Sequence, residues 1–419
     1  APRANHVALY INCDYYGLYA NIEHIDDEFV QQRFGNSDGN LYKCLYPADL
    51  AYLGEDADAY KLAPNGRRAY DLRTNEAEDD YSDLAHFISI INQTPINELP
   101  CELEAVFNVD SYLRSIVIDV LVGNWDGYFN QNTFYLYRYT ATYNTLGIDW
   151  FGGDWTMRDV YDWMPSSQDR PLFKRLMEVP DYRARFSYYM RNFMLTYYNP
   201  GNLFAGFDQL RDLLGAFVAS DDFYTQDYDF TLQDFTNGFG SPASFLHVDH
   251  GIKDFISDRR NRAFQQLEML NPAPYLHQAF SSRPNVGQEV AFLVNAEDDG
   301  TLNEVQLCYQ SDGGAETCLT MMDNGQFGDG EANDGIFGLF IGAFNEVTDI
   351  NWYVTATDDE GAVQRLPKCG PFTTQISGGG LSLAINEYMA SNDVTIADEE
   401  GEFDDWLEEL NYGSTPNNL

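Results

Sequence analysis

The stretch GNWDGYFNQN, residues 123–132, sets Asp126 four residues ahead of Asn130 and six ahead of Asn132. A carboxylate held in a loop can orient or deprotonate an acceptor hydroxyl, and an amide oxygen a few residues on can ligate Mg²⁺. Together they divide the work of a kinase-type catalytic loop. Asp and Asn are equally the residues of a solvated turn, so residue types alone leave both readings open.

A second concentration of donors is MDNGQFGDGEANDGIFG, residues 322–338, where Asp323, Asp329 and Asp334 share a glycine-rich loop with Glu331. Oxygen ligands at that density suit Ca²⁺, although their order differs from an EF-hand loop; the alternative is an Asp/Asn/Gly hairpin turn. In HVDH, His247 and His250 flank Asp249 at a spacing that serves a metal if the segment is helical, or else a polar surface or capped helix start. NQTP at Asn92 is an N-glycosylation acceptor sequence. Six cysteines show no CxxC pair, and Cys308 and Cys318 flank the turn SDGGA, which predicts a bridge across a hairpin and an oxidising compartment.

The elements that must position these groups are partly legible. In NVDSYLRSIVIDVLVGNWDG, apolar residues at Tyr112, Leu113, Ile116, Val117, Val120 and Leu121 recur at helical spacing, with Asn108 or Asp110 to cap the start and Gly123 the end. Asp126 then falls in the loop after a buried helix, and TFYLYRY behind it alternates as an aromatic strand. HVALYINCDYYGLYANIEHID reads as two strands, and DDEFVQQRFG as a helix stopped by Gly35. Residues 46–100, polar and Asp-rich, read as an insertion with one or two short helices. Residues 171–278 read as helices, and residues 288–376 as alternating strands with turns every eight to twelve residues, a small β-sandwich.

Composition narrows the function classes. At 419 residues with 44% apolar and 15% aromatic content the chain folds into more than one domain. Sixty-six acidic residues against 24 basic ones, five of them Lys, give a net charge of −42. Nucleic-acid binding is excluded on charge, and such a surface suits a saline or Ca²⁺-containing exterior. No apolar run reaches the length of a membrane span.

The segments VALYINCDYYGLYANIEHID, GNLYKC, VLVGNWDGYFNQNTFYLY, GIDWFGGDW and RPLFKRLM occur in an order that resembles the spore-coat H (CotH) family of secreted atypical kinases. The resemblance covers residues 1 to about 278. It implies an α+β, kinase-like domain that uses ATP with Mg²⁺ or Mn²⁺, with Asp126 as the catalytic-loop Asp and Asn130 and Asn132 where the metal-side amide is expected. Glu23 then lies near the crossover that binds the nucleotide base, unless it only solvates a strand end. Residues 286–377 resemble an Ig-like β-sandwich, and residues 382–419 resemble the truncated start of a lamin-tail domain.

Departures from the family pattern shape the expectation. There, the aromatic strand is followed by another that ends in a Pro-aromatic-Asp-x-Asp-x-Thr motif, whose first Asp holds the metal. Here FYLYRYTAT runs directly into YNTLGIDWFGGDW, which predicts that this strand is missing and that Asp149 or Asp154 substitutes. The sequence also opens inside the family's small lobe, without its phosphate-contacting Lys, and Lys43 lies past the crossover. The expected protein is secreted or on the cell surface, with extracellular or surface proteins as partners. It is either a kinase with a degenerate metal site or a pseudokinase that self-assembles in a matrix, coat or filament.

Overall fold

The computed structural model describes residues 2–124, 127–131, 134–139, 142–146, 155–164, 168–224, 229–240, 248, 250–378, 383–389 and 406–411. The chain divides into two units, Ala1–Ala273 and Pro274–Leu419, and is α+β as expected: helices dominate the first and antiparallel strands the second.

The first unit begins with the hairpin Ala4–Ile11 and Asp14–Ile22, turned at Asn12 and Cys13, whose φ values of 52° and 73° match the right-handed twist of the strands. Asp26 caps the helix Asp27–Phe34 through the amide of Phe29, and Gly35 ends it in the left-handed conformation at φ 73°. Four antiparallel strands follow in the spatial order Tyr70–Leu72, Leu41–Cys44, Phe134–Tyr139, Thr142–Leu146.

Against expectation, residues 46–100 are not a polar insertion. They supply the strand Tyr70–Leu72 and the helix Ser82–Gln93, which buries Leu84, Ala85, Phe87, Ile88, Ile90 and Ile91 in the main core. Tyrosine makes this possible: the Tyr81 hydroxyl donates to Tyr70 O at 2.7 Å, and the Tyr70 hydroxyl accepts from Leu50 N at 2.8 Å. Polar ends paired in this way let aromatic bulk enter a core that a polar-looking text conceals.

At the centre of that core runs the helix Val109–Val122, with Tyr112, Leu113, Ile116, Val117, Val120 and Leu121 at most 2% exposed. Each such side chain contributes about 1.5–3 kcal/mol of burial. Proline at the first helical position starts Pro171–Glu178, Pro180–Thr196 and Pro200–Ala219, where its missing N–H costs nothing. The last helix of the unit is Ile252–Gln266.

In the second unit a five-stranded sheet (Leu302–Ser311, Thr317–Thr320, Thr348–Asp358, Val363–Leu366, Phe372–Ile376) and a three-stranded sheet (Tyr275–Ser281, Val290–Glu297, Ile336–Ile341) share one core, in which Phe292 and Val294 from one sheet meet Val305, Leu307, Trp352 and Val354 from the other. This is a sandwich, and the strand Tyr275–Ser281 is part of it. Cys308 and Cys318 stand directly opposite in register and are bridged, as the spacing predicted. Cys13 and Cys44 are free thiols. A separate hairpin pairs Leu383–Met389 with Trp406–Asn411.

Candidate active site

The helix Val109–Val122 is capped as its sequence suggests: Asn108 accepts from Ser111 N, and Gly123 closes the other end at φ 73°. The chain then enters the candidate loop at Asn124, which is 1% exposed. Asn124 N donates to Asp119 O at 2.8 Å, and Asn124 Nδ2 donates to Asp119 Oδ1 at 3.0 Å. Burial pushes the Asp119 carboxyl up to about 7, and Asn124 Oδ1 is buried with no hydrogen-bond partner. Trp163 Nε1 adds a 3.4 Å bond to Asn124 O.

Beyond Asp126, the tight turn Tyr128–Asn130 is fixed from several sides. Arg170, 1% exposed, donates from Nε to Tyr128 O at 3.0 Å and to Phe129 O at 2.8 Å. The Tyr128 hydroxyl accepts from Leu172 N at 3.0 Å. Gln131, held at φ 55°, donates from Nε2 to Asp49 Oδ2 at 2.9 Å. Asn130 itself is exposed, so its amide faces solvent. Sequence reasoning does not single out Asp119, Gln131, Trp163 or Arg170, although Gln131 lies within VLVGNWDGYFNQNTFYLY and Arg170 opens RPLFKRLM, two segments that carry the resemblance.

A short strand follows the aromatic one, but it reads TYNTL and carries no carboxylate. Phe134–Tyr139 pairs antiparallel with Thr142–Leu146, from Tyr135 opposite Leu146 to Tyr139 opposite Thr142. This strand places Tyr143 and Asn144 where the resemblance implies paired carboxylates. Its end hands the chain to Gly147, two residues before Asp149. Asp126, Asn132, Asp149 and Asp154 lie outside the described residues. Lys43 sits in the same sheet, opposite Tyr135, with Nζ 5.8 Å from that ring.

Glu23 has a defined job. Its carboxylate accepts from Arg3 N at 2.9 Å and Arg3 Nε at 3.1 Å, and from Arg33 Nη2 at 2.9 Å. The Arg3 hydrogen bonds hold its carboxyl down at about 2. Glu23 thus ties the opening hairpin to the helix Asp27–Phe34. Asn92 donates both amide hydrogens, to Leu50 O at 2.9 Å and Ile88 O at 2.8 Å, which engages the nitrogen that a glycan would need.

In the second unit, Asp323 accepts from the N–H groups of Asn333 (2.6 Å), Asp334 (3.3 Å) and Gly335 (3.0 Å). Asp334 accepts from those of Glu331 and Ile336, each at 2.9 Å. Asp323, Asp329 and Asp334 do not bring ligand atoms within 4.8 Å of one another; among the described residues the set that does is His250, Asp254 and Asp258. His250 Nδ1 lies 3.0 Å from Asp254 Oδ2, so it meets residues one and two turns on, while His247 and Asp249 lie outside the described residues.

The loop after the helix Val109–Val122 is thus braced by a buried arginine and followed by an antiparallel hairpin. Residues 1–262 match the CotH kinase protein family, and the chain belongs to it. It is similar to the inner spore coat protein H of Bacillus subtilis (strain 168), with 22% identity over 192 residues that make up 44% of this chain and 52% of that protein. The chain thus spans about half the length of that curated relative.

Proposed function

We propose that the first unit binds ATP with Mg²⁺ or Mn²⁺ and transfers a phosphoryl group to an extracellular or surface protein. The observation that carries this reading is the bracing of the candidate loop on both sides of Asp126, by Asn124 with Asp119 and by Arg170 with Gln131. Transfer of this kind depends on positioning more than on covalent chemistry. In this reading Asp126 orients the acceptor hydroxyl, Asn130 and Asn132 offer amide oxygens, and Asp149 and Asp154 offer carboxylates, the hard donors that Mg²⁺ takes. The buried, unpartnered Asn124 Oδ1 is a further oxygen at the head of the loop. The ion's contribution is neutralisation of the phosphates. Glu23 is proposed at the base-binding crossover only as the tie that holds it. Disulfide-bonded cysteines support an oxidising, extracellular setting, and a coat protein among the relatives supports a surface one.

Calorimetry should show saturable binding of ATP with Mn²⁺ and none with ATP alone, and Asp126→Ala should lower phosphate transfer about 10²–10⁴-fold while binding persists. No metal-dependent heat at millimolar nucleotide would remove this reading. The second reading, a pseudokinase that self-assembles as a structural or adhesive module, would then stand; commitment of Glu23 to two arginines favours it.

For the second unit we propose Ca²⁺ in the loop from Asp323 to Asp334. Residues 284–364 contain sixteen acidic residues and no Lys or Arg, so no basic side chain of that stretch offsets the loop's charge.

A further inference from the structure

The acids of that loop differ in what they already bind. Both oxygens of Asp323 and both of Asp334 accept backbone N–H groups, so these two carboxylates hold the loop in shape. Asp329 differs. Its side chain is fully buried, at 0% exposure, and Oδ2 accepts from Asn324 N at 2.9 Å, yet Oδ1 has no hydrogen-bond partner. A buried carboxylate oxygen without a partner is strongly unfavourable unless a cation or donor meets it.

The loop around it is built for close backbone approach. Gly325, Phe327, Gly328, Gly330, Asn333 and Gly335 all have positive φ, between 59° and 86°. At Gly330, next in the chain, an added Cβ would lie 2.5 Å from Asp334 Oδ2, so glycine leaves room for that carboxylate against the backbone. Hard cations such as Ca²⁺ take carboxylate and backbone carbonyl oxygens together, and a site can therefore form around one carboxylate.

We infer that Asp329, through Oδ1, is the carboxylate that ligates Ca²⁺ in this loop, and that Asp323 and Asp334 frame the site instead of ligating the ion. The inference rests on the proposal of Ca²⁺ binding and assigns its ligand. It accounts for the three carboxylates not converging: only one of them has to reach the ion.

The test is scanning calorimetry of the full chain in EDTA and in Ca²⁺, for wild type, Asp329→Asn and Asp323→Asn. Wild type should gain roughly 5–10 °C in the second unit's transition at about a hundredfold excess of Ca²⁺ over the dissociation constant. Asp329→Asn should lose that gain and melt in EDTA no lower than wild type, because it removes an uncompensated buried charge. Asp323→Asn should melt lower in EDTA, with three backbone N–H groups weakened, and still gain from Ca²⁺. A wild type that gains nothing overturns both the Ca²⁺ proposal and the ligand assignment. A full gain retained by Asp329→Asn, with wild type responding, overturns the assignment alone.

Discussion

Arg170→Met is expected to destabilise the first unit by about 3–5 kcal/mol and to abolish nucleotide binding. The guanidinium is 1% exposed, and its Nε serves two consecutive carbonyls of the candidate loop, Tyr128 O and Phe129 O. Its other nitrogens donate to Asp169 O at 2.9 Å and Gln168 Oε1 at 3.2 Å. Methionine fills a similar volume but donates nothing, and each buried carbonyl left unpaired costs about 1–3 kcal/mol. Arg170→Lys keeps the charge without the planar fork and should fall between the two. Urea unfolding followed by tyrosine and tryptophan fluorescence measures the loss. A midpoint shift equivalent to less than about 1 kcal/mol would show that the loop does not depend on this arginine.

Asp119→Asn should act in the opposite direction and in a pH-dependent way. The folded carboxyl, raised by burial to about 7, ionises well above an unfolded Asp near 4, so between those values the folded state holds the extra proton. Stability therefore falls as pH rises from about 4 to about 7 and levels off above. The full linkage is at most roughly 4 kcal/mol for this one group. Asparagine can still accept from Asn124 Nδ2 and carries no charge to bury. The variant should gain about 1–3 kcal/mol at pH 8, gain nothing at pH 4, and show a flatter profile between, after allowance for a weaker neutral hydrogen bond. Tyr112, whose buried hydroxyl is unpartnered and lies in the field of Asp119, should become easier to ionise. Equal pH slopes in variant and wild type would place the titration elsewhere.

Much of the candidate loop's frame can be read locally. The helix ahead of it is specified by the 3.6-residue spacing from Tyr112 to Leu121, the Asn108 cap and the glycine that only a left-handed position needs. The aromatic alternation of Phe134–Tyr139 lies within the strand itself, and Cys308 opposes Cys318 at a sequence separation of 10. Such signals survive in text because propensity, capping and turn chemistry act over one or two turns.

Arg259 shows where that legibility stops. In DRRNR it reads as one more charge on a polar helix, yet it is fully buried. It donates to Val120 O at 3.1 Å and Arg158 O at 2.6 Å, stacks 4.7 Å from the Trp163 ring, and is lowered by burial to about 10. Its partners are about a hundred residues or more away in the chain. Arg170, 42 residues from Tyr128, and Gln131, 82 residues from Asp49, are non-local in the same way. The sequence by itself determined the α+β class, the family and the helix that carries the loop. Only the tertiary structure decided which charged groups are buried, which carbonyls they satisfy, and that Asp329 alone of the loop's three aspartates keeps a free oxygen. Residue types state what a group can bind, whereas burial and partners are set by contacts between distant segments that no local pattern encodes.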